Sequence, residues 1–288
     1  MPTETVYGLA GDAAEPAAVA RIFAAKGRPR FNPLIAHVTC VDQARTFARL
    51  DDRALRLARV FWPGPLTIVA PLGDSSLVCD LARAGLDTVA VRAPAHPVTQ
   101  ALLRAFGRPL VAPSANRSGR PSPTTCNDAI EETGAFVAAA LDGGPCALGL
   151  ESTVVALLDG PPRLLRPGSV TRVEIEALIG PLAEAEADAG RSPGRMTRHY
   201  APTAPVRLDA AFPVAGEAFL AFGAAPEGPG VFNLSPTGDL TQAAANLFAL
   251  LRAADRASPT AIAVAPIPEA GLGEAINDRL RRAAGQVG

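Results

Sequence analysis

The chain has 288 residues, 48% hydrophobic and 19% charged; this composition excludes a disordered chain, and the length predicts one large domain plus a smaller one. A formal net charge of −1 argues against a broad nucleic-acid-coating surface while leaving room for a local basic cleft. No apolar run is long enough to cross a bilayer and the N-terminus lacks a charged-then-apolar export pattern, so a soluble cytoplasmic protein with no membrane partner is expected.

In chain order, a helical pattern at 17–25 precedes a strand-like run at 34–38. A helix at 52–60, strands at 66–70 and 88–91, a helix at 97–106, a strand at 110–112, a helix at 127–133 and a strand at 153–157 follow. Strands interleaved with helices predict an α/β domain with an open, twisted, covered sheet. Composition shifts after Ile179, and the Pro/Gly-punctuated stretch at 181–204 reads as a linker or crossing loop. Beyond it, short strands at 218–222, 230–234 and 261–264 and helices at 241–254 and 274–284 suit a small α/β domain. The expected division is 1–178, a loop at 179–204, and 205–288. No repeat of fixed period is present.

Cys40, Cys79, Cys126 and Cys146 lie far apart without a CxxC pair, so buried reduced thiols are expected rather than a zinc site or disulfide framework. His37, His96 and His199 are equally scattered.

Five segments place polar groups beside predicted strands, where α/β proteins build sites. They are Pro2-Thr3-Glu4-Thr5-Val6-Tyr7-Gly8-Leu9; Lys26-Gly27-Arg28-Pro29 with Asn32-Pro33 and His37; Val91-Arg92-Ala93-Pro94; Ala112-Pro113-Ser114-Ala115-Asn116-Arg117-Ser118-Gly119 with Ser122; and Glu151-Ser152-Thr153-Val154 leading to Arg166-Pro167-Gly168. Lys26 and Arg28, in a proline-stiffened extended turn, can aim two cations at one polyphosphate. Taken alone, such a pair is more often a solvated surface turn. The turn at 114–116 offers a hydroxyl, an amide and free backbone N–H groups, a nest for phosphate or ribose, although Ser and Asn also favour turns for local reasons. Thr153 reads equally well as a β-branched strand residue, and an isolated His37 as a packed or capping side chain. A Gly-x-Ser-x-Gly elbow, a P-loop and a GxGxxG turn are all absent, so a serine triad is disfavoured and any nucleotide site is built by other means.

Taken together in order, PTETVYGL, KGRPxxNPLxxH, WPGPLT (62–67), VRAP, PSANxSGxPSPT, ESTV and LRPG resemble the YrdC/Sua5 family. The later SPGRMTRHYAP and GLGEAINDRL (271–280) resemble its longer Sua5 type, so the likeness spans essentially the whole chain. The resemblance implies an open, twisted mixed sheet of YrdC type, a smaller Rossmann-like α/β domain, and a linker folding back over the active site. It implies threonylcarbamoyl-AMP synthase activity on L-threonine, bicarbonate and ATP with Mg²⁺. The product would feed a transferase complex that makes N6-threonylcarbamoyladenosine in tRNA, tRNA itself being involved indirectly. By motif, Thr5, His37, Arg92, Ala112 and Ser152 fall to threonine, with Arg92 facing its carboxylate. Lys26, Arg28, Asn32, Thr88, Ser114, Asn116, Ser122 and Arg166 fall to ATP, with Tyr200 covering the nucleotide. Lys26, Arg28, His37 and Arg92 carry the catalytic expectation, and no protein side chain is assigned to metal. Members of this family carry a strand before the Pro2–Leu9 motif, which here follows Met1 directly, so an open sheet edge is expected near the threonine pocket.

Two other readings stand beside this one. RNA binding without catalysis is weakened by near-neutral charge and 5% aromatic content, and would not require Thr5, His37 or Ser152. Carbamoyl-adenylate chemistry of the hydrogenase-maturation type would bring a paired-cysteine finger, and the sequence has none.

Overall fold

A computed structural model describes residues 1–184 and 199–286; residues 185–198 of the expected crossing loop, and Ser192 to Arg198 of its SPGRMTRHYAP motif among them, lie outside the described residues. In order, β1 (Gly11–Asp12), α1 (Pro16–Lys26), β2 (Ile35–His37), α2 (Val41–Arg45), α3 (Asp52–Phe61), β3 (Leu66–Pro71), α4 (Asp80–Arg83), β4 (Thr88–Arg92), α5 (Pro97–Phe106), β5 (Leu110–Val111) and α6 (Cys126–Thr133) lead to β6 (Thr153–Ala156), β7 (Arg163–Arg166), α7 (Arg172–Ile179) and β8 (Ala183–Glu184). These strands form one mixed sheet in the order β1-β5-β2-β4-β3-β6-β7-β8. Pairing alternates in sense: β2 lies parallel to β4 and β3 parallel to β6, while β3–β4, β2–β5 and β6–β7 are antiparallel. Because β8 pairs with β7, the sheet continues beyond the boundary expected at 178.

Helix ends follow local chemistry. Pro16 and Pro97 occupy first turns, Asp51 caps α3 by accepting from the Ala54 amide, and Gly27 closes α1 in the left-handed region. Side-chain alternation along the strands then sorts the two sheet faces. Ala36, Ile68, Val89, Val91, Val111 and Val155 enter the core shared with Val19, Phe23, Leu57 and Ile175 of α1, α3 and α7. Ile35, Val69, Ala90, Val154 and Leu165 turn to the other face. His37 is two residues beyond Ile35 and Arg92 two beyond Ala90, so both share that second face, directly opposite each other in register.

The second unit holds β9 (Val206–Arg207), β10 (Ala218–Ala221), β11 (Val231–Asn233), α8 (Leu240–Arg256), β12 (Ile262–Val264) and α9 (Leu272–Ala283). Its sheet is wholly parallel in the order β11-β10-β12-β9. Its core takes in Val6 and Leu150 from the first unit together with Tyr200. Gly149, at φ 67°, allows this approach: a Cβ there would sit 2.4 Å from the Ala245 carbonyl oxygen of α8. The four thiols are free, but only Cys126 and Cys146 are buried; Cys40 is exposed, contrary to expectation, because it begins α2 at the surface. Among the described residues, no helix is long and apolar enough to cross a membrane.

Candidate active site

A cleft with about 500 Å³ of space unfilled by protein lies over the second sheet face, lined by Thr5, Arg28, Ile35, His37, Arg92, Ala112, Ser114, Glu151, Ser152, Arg166, His199 and Tyr200 among others. The strands explain the gathering. His37 and Arg92 end β2 and β4, Ser152 precedes β6 at the same end of the sheet, and Arg166 ends β7.

On one side, Arg92 donates to Thr5 Oγ1 at 2.9 Å, to Glu4 Oε1 at 2.6 Å and to the Gly64 carbonyl at 3.1 Å. Burial works against the Glu4 carboxylate, but Arg92 outweighs it and holds the group below the usual range. An incoming carboxylate would therefore meet a guanidinium already oriented, with only its remaining N–H groups on offer. His37 Nδ1 lies 3.0 Å from the Ile35 carbonyl, and burial, aided by Arg92, pushes the ring down to about 3. It is a neutral hydrogen-bonding group at physiological pH. Ser152 Oγ is 2.7 Å from Thr67 Oγ1 of the WPGPLT motif.

On the other side, Arg166 donates to the Ser152 carbonyl at 2.9 and 3.1 Å and to its hydroxyl at 3.2 Å. Gly168 makes room for that turn, since a Cβ there would lie 2.4 Å from the Thr153 amide nitrogen. Arg28 donates to the Asn32 and Pro33 carbonyls at 3.3 and 3.1 Å, and burial lowers its pKa to about 10. Tyr200 is buried at φ 61° with its ring edge-on to His199, centroids 4.0 Å apart, and 5.4 Å from Phe248 of α8.

Five predicted residues stand elsewhere. Lys26 ends α1 rather than occupying an extended turn, and its ammonium donates to the Ser114 and Asn116 carbonyls. Burial, then Arg28, drives its pKa well down. Asn116 donates to the Arg117 and Arg120 carbonyls, and Ser122 donates to Glu151, so both brace the loop behind the cleft wall. Asn32 is buried beside Arg28. Thr88 does not line this cleft: it begins β4 opposite Pro71, at the far end of the strand from Arg92. The nest at 114–116 is also partly closed, since the Ala115 amide bonds to the Tyr7 carbonyl and the Arg117 amide to Glu132. Thr153 proves structural, its hydroxyl donating to the Val170 carbonyl at 2.6 Å.

Glu4, Glu151 and His199 lie within the motifs, but their residue types alone assign them no role. The polar pair Glu151-Ser152 ahead of a buried strand was the available signal. Asn32 Oδ1, Asn116 Oδ1 and His199 Nδ1 are buried with no protein partner. Buried polar atoms are nearly always paired, so these are positions where a polar ligand would complete the bonding.

Buried guanidiniums from two strand ends and a loop, grouped with small hydroxyls on a mixed sheet and covered by a tyrosine, define an α/β protein equipped to hold a small anionic ligand away from water. The sequence model of the Sua5/YciO/YrdC family, described as telomere recombination, matches residues 1–168, and that of the threonylcarbamoyl-AMP synthase C-terminal domain matches 170–285. The chain belongs to this family, in its two-domain Sua5 form. It is 41% identical to the threonylcarbamoyl-AMP synthase of Pyrococcus abyssi over 99% of this chain and 89% of that one. Against the synthase of Bacillus subtilis it is 38% identical over 99% and 88%. The crystal structure of P. abyssi Sua5 complexed with L-threonine superposes with a TM-score of 0.91 at 38% identity, covering 99% of this chain and 89% of that one.

Proposed function

We propose that the chain is a threonylcarbamoyl-AMP synthase. The amine of L-threonine captures bicarbonate as a carbamate with loss of water. A carbamate oxygen then attacks the α-phosphorus of ATP, the bond to the bridging oxygen breaks, and pyrophosphate leaves. The observation that carries this reading is the gathering in one cleft of small hydroxyls and a histidine (Thr5, Ser114, Ser152, His37) with the guanidiniums of Arg28, Arg92 and Arg166, next to Ala112 and Tyr200.

No protein nucleophile is needed. Arg28 and Arg166 would offset charge developing on the phosphates, and holding both substrates in line supplies much of the acceleration. Water exclusion by Tyr200 and His199 would protect the carbamate and the mixed anhydride, both of which water destroys. Lys26, Asn32, Asn116 and Ser122 would shape the nucleotide side through the loop they brace, with Lys26 turning to phosphate only by releasing its carbonyls. Mg²⁺ would enter with ATP, its charge offsetting that of the phosphates. The residues at 1–178 would carry the chemistry, the 179–204 crossing would bring Tyr200 over it, and 205–288 would support both. The product would pass to a transferase acting on tRNA in the cytoplasm. Pyrophosphate release from ATP and bicarbonate tests the reading: release dependent on L-threonine supports it, and threonine-independent release or silence counts against it.

A further inference from the structure

Arg279 reaches the site from α9, more than a hundred residues after the strands that build it, and none of the roles above uses it. Its side chain is fully buried. Nε donates to Glu151 Oε2 at 2.8 Å, Nη2 to the Pro167 carbonyl at 3.0 Å, and Nη1 to Asp278 Oδ2 at 2.5 Å. Its Cζ lies 5.2 Å from the centre of the Tyr200 ring, within the range of an attractive cation–π contact. The other oxygen of Glu151 accepts from Ser122 Oγ.

We propose that Arg279 is a positioning residue for the reaction, fixing Glu151 and through it Ser122 in the nucleotide half of the cleft while seating Tyr200 above them. This rests on the synthase reading and deepens it. A carboxylate lining a phosphate site repels the substrate unless it is neutralised locally. Arg279 supplies that neutralisation from behind, leaving Arg28 and Arg166 free to face the ligand. Without it, Glu151 either takes a proton or draws Arg166 away from Ser152. The charged and titratable groups facing Glu151 are Lys26 from α1, Arg166 from β7, His199, Tyr200, and Arg279 from α9, which also holds Asp278, with Arg28 across the cleft. Burial would favour protonated Glu151, but Arg279 foremost, then Arg166, holds it below the usual carboxylate range.

The test uses the full chain as wild type, Arg279→Met, Arg279→Lys, Glu151→Gln and the Met/Gln double variant. ATP affinity by calorimetry is read from pH 5 to 8, alongside steady-state KM values and thermal unfolding. Arg279→Met is expected to weaken ATP binding about tenfold, equivalent to one pKa unit of interaction, with the KM for threonine nearly unchanged. Its affinity profile should gain an ionisation that wild type and the double variant lack, Arg279→Lys should recover part of the loss, and Glu151→Gln should absorb most of the effect. A pH-independent loss that multiplies with Glu151→Gln, or equal losses for both substrates, would overturn the proposal. A chain that binds ATP but forms no product sinks the synthase reading instead. The affinity cycle between Arg279 and Glu151 then still decides whether the strut exists.

Discussion

His37 and His199 are both pushed down from 6.5 to about 3, in each case chiefly by burial. A base whose folded pKa lies below its unfolded value binds protons preferentially when unfolded. Stability from these two neutral rings is therefore fully present above pH 6.5 and drains away as pH falls toward 3. Thermal melts across that window should show the decline, and His199→Asn should flatten it; an unchanged melting temperature down to pH 4 would contradict the assigned burial. The same pKa values predict no inflection from His37 or His199 in the rate between pH 6 and 8. Tyr200 makes the complementary case. Its ring closes the cleft against His199, Phe248 and Arg279, so Tyr200→Ala should lower kcat/KM for ATP by about tenfold, or some 1.4 kcal/mol, as steady-state kinetics would read.

At the scale of elements, the loop at 116–121 depends on α8. Arg252 donates to Glu132 Oε1 at 3.0 Å and to the Pro121 carbonyl, and Glu132 in turn accepts from the Arg117 amide at 3.0 Å. Arg252→Met would leave a buried carboxylate short of one partner and the loop short of its anchor, a cost of about 3 kcal/mol for a charged hydrogen bond in the interior. Urea unfolding should register that loss, and ATP affinity should weaken with it. Elements of this kind were readable in part. Strands at 34–38, 66–70 and 88–91 and helices at 52–60 and 97–106 fall within a residue or two of β2, β3, β4, α3 and α5, because apolar periodicity and clear caps mark them. β1, β5, β8 and β9 are two-residue strands, strands by virtue of their partners, which local sequence does not announce; of these β1, β8 and β9, together with the four-residue β7, carry no apolar run that marks them. Thr88 shows the same limit, because sharing β4 with Arg92 does not say which end of the strand faces the cleft.

Across the whole molecule, the site is shared by residues from Thr5 to Arg279, and the contacts that join its parts are buried ion pairs, Arg279–Glu151 and Arg252–Glu132, beside a mixed core of Val6, Leu150 and Tyr200. Motifs made the first-unit residues legible, since each sits at a strand end that the sequence marks. Arg252 and Arg279 were invisible because they sit on helices that look merely amphipathic, with Glu132 and Glu151 more than a hundred positions away. Such coupling predicts one cooperative calorimetric transition for both units, raised by ATP through mass action; two well-separated transitions would contradict it. The central claim concerns where the carbon of bicarbonate goes. Incubating the chain with ATP, L-threonine and heavy-carbon bicarbonate, then weighing the nucleotide products, tests it most directly. Labelled threonylcarbamoyl-AMP formed together with pyrophosphate is the predicted result, whereas unlabelled AMP or ADP as the only nucleotide product would contradict it.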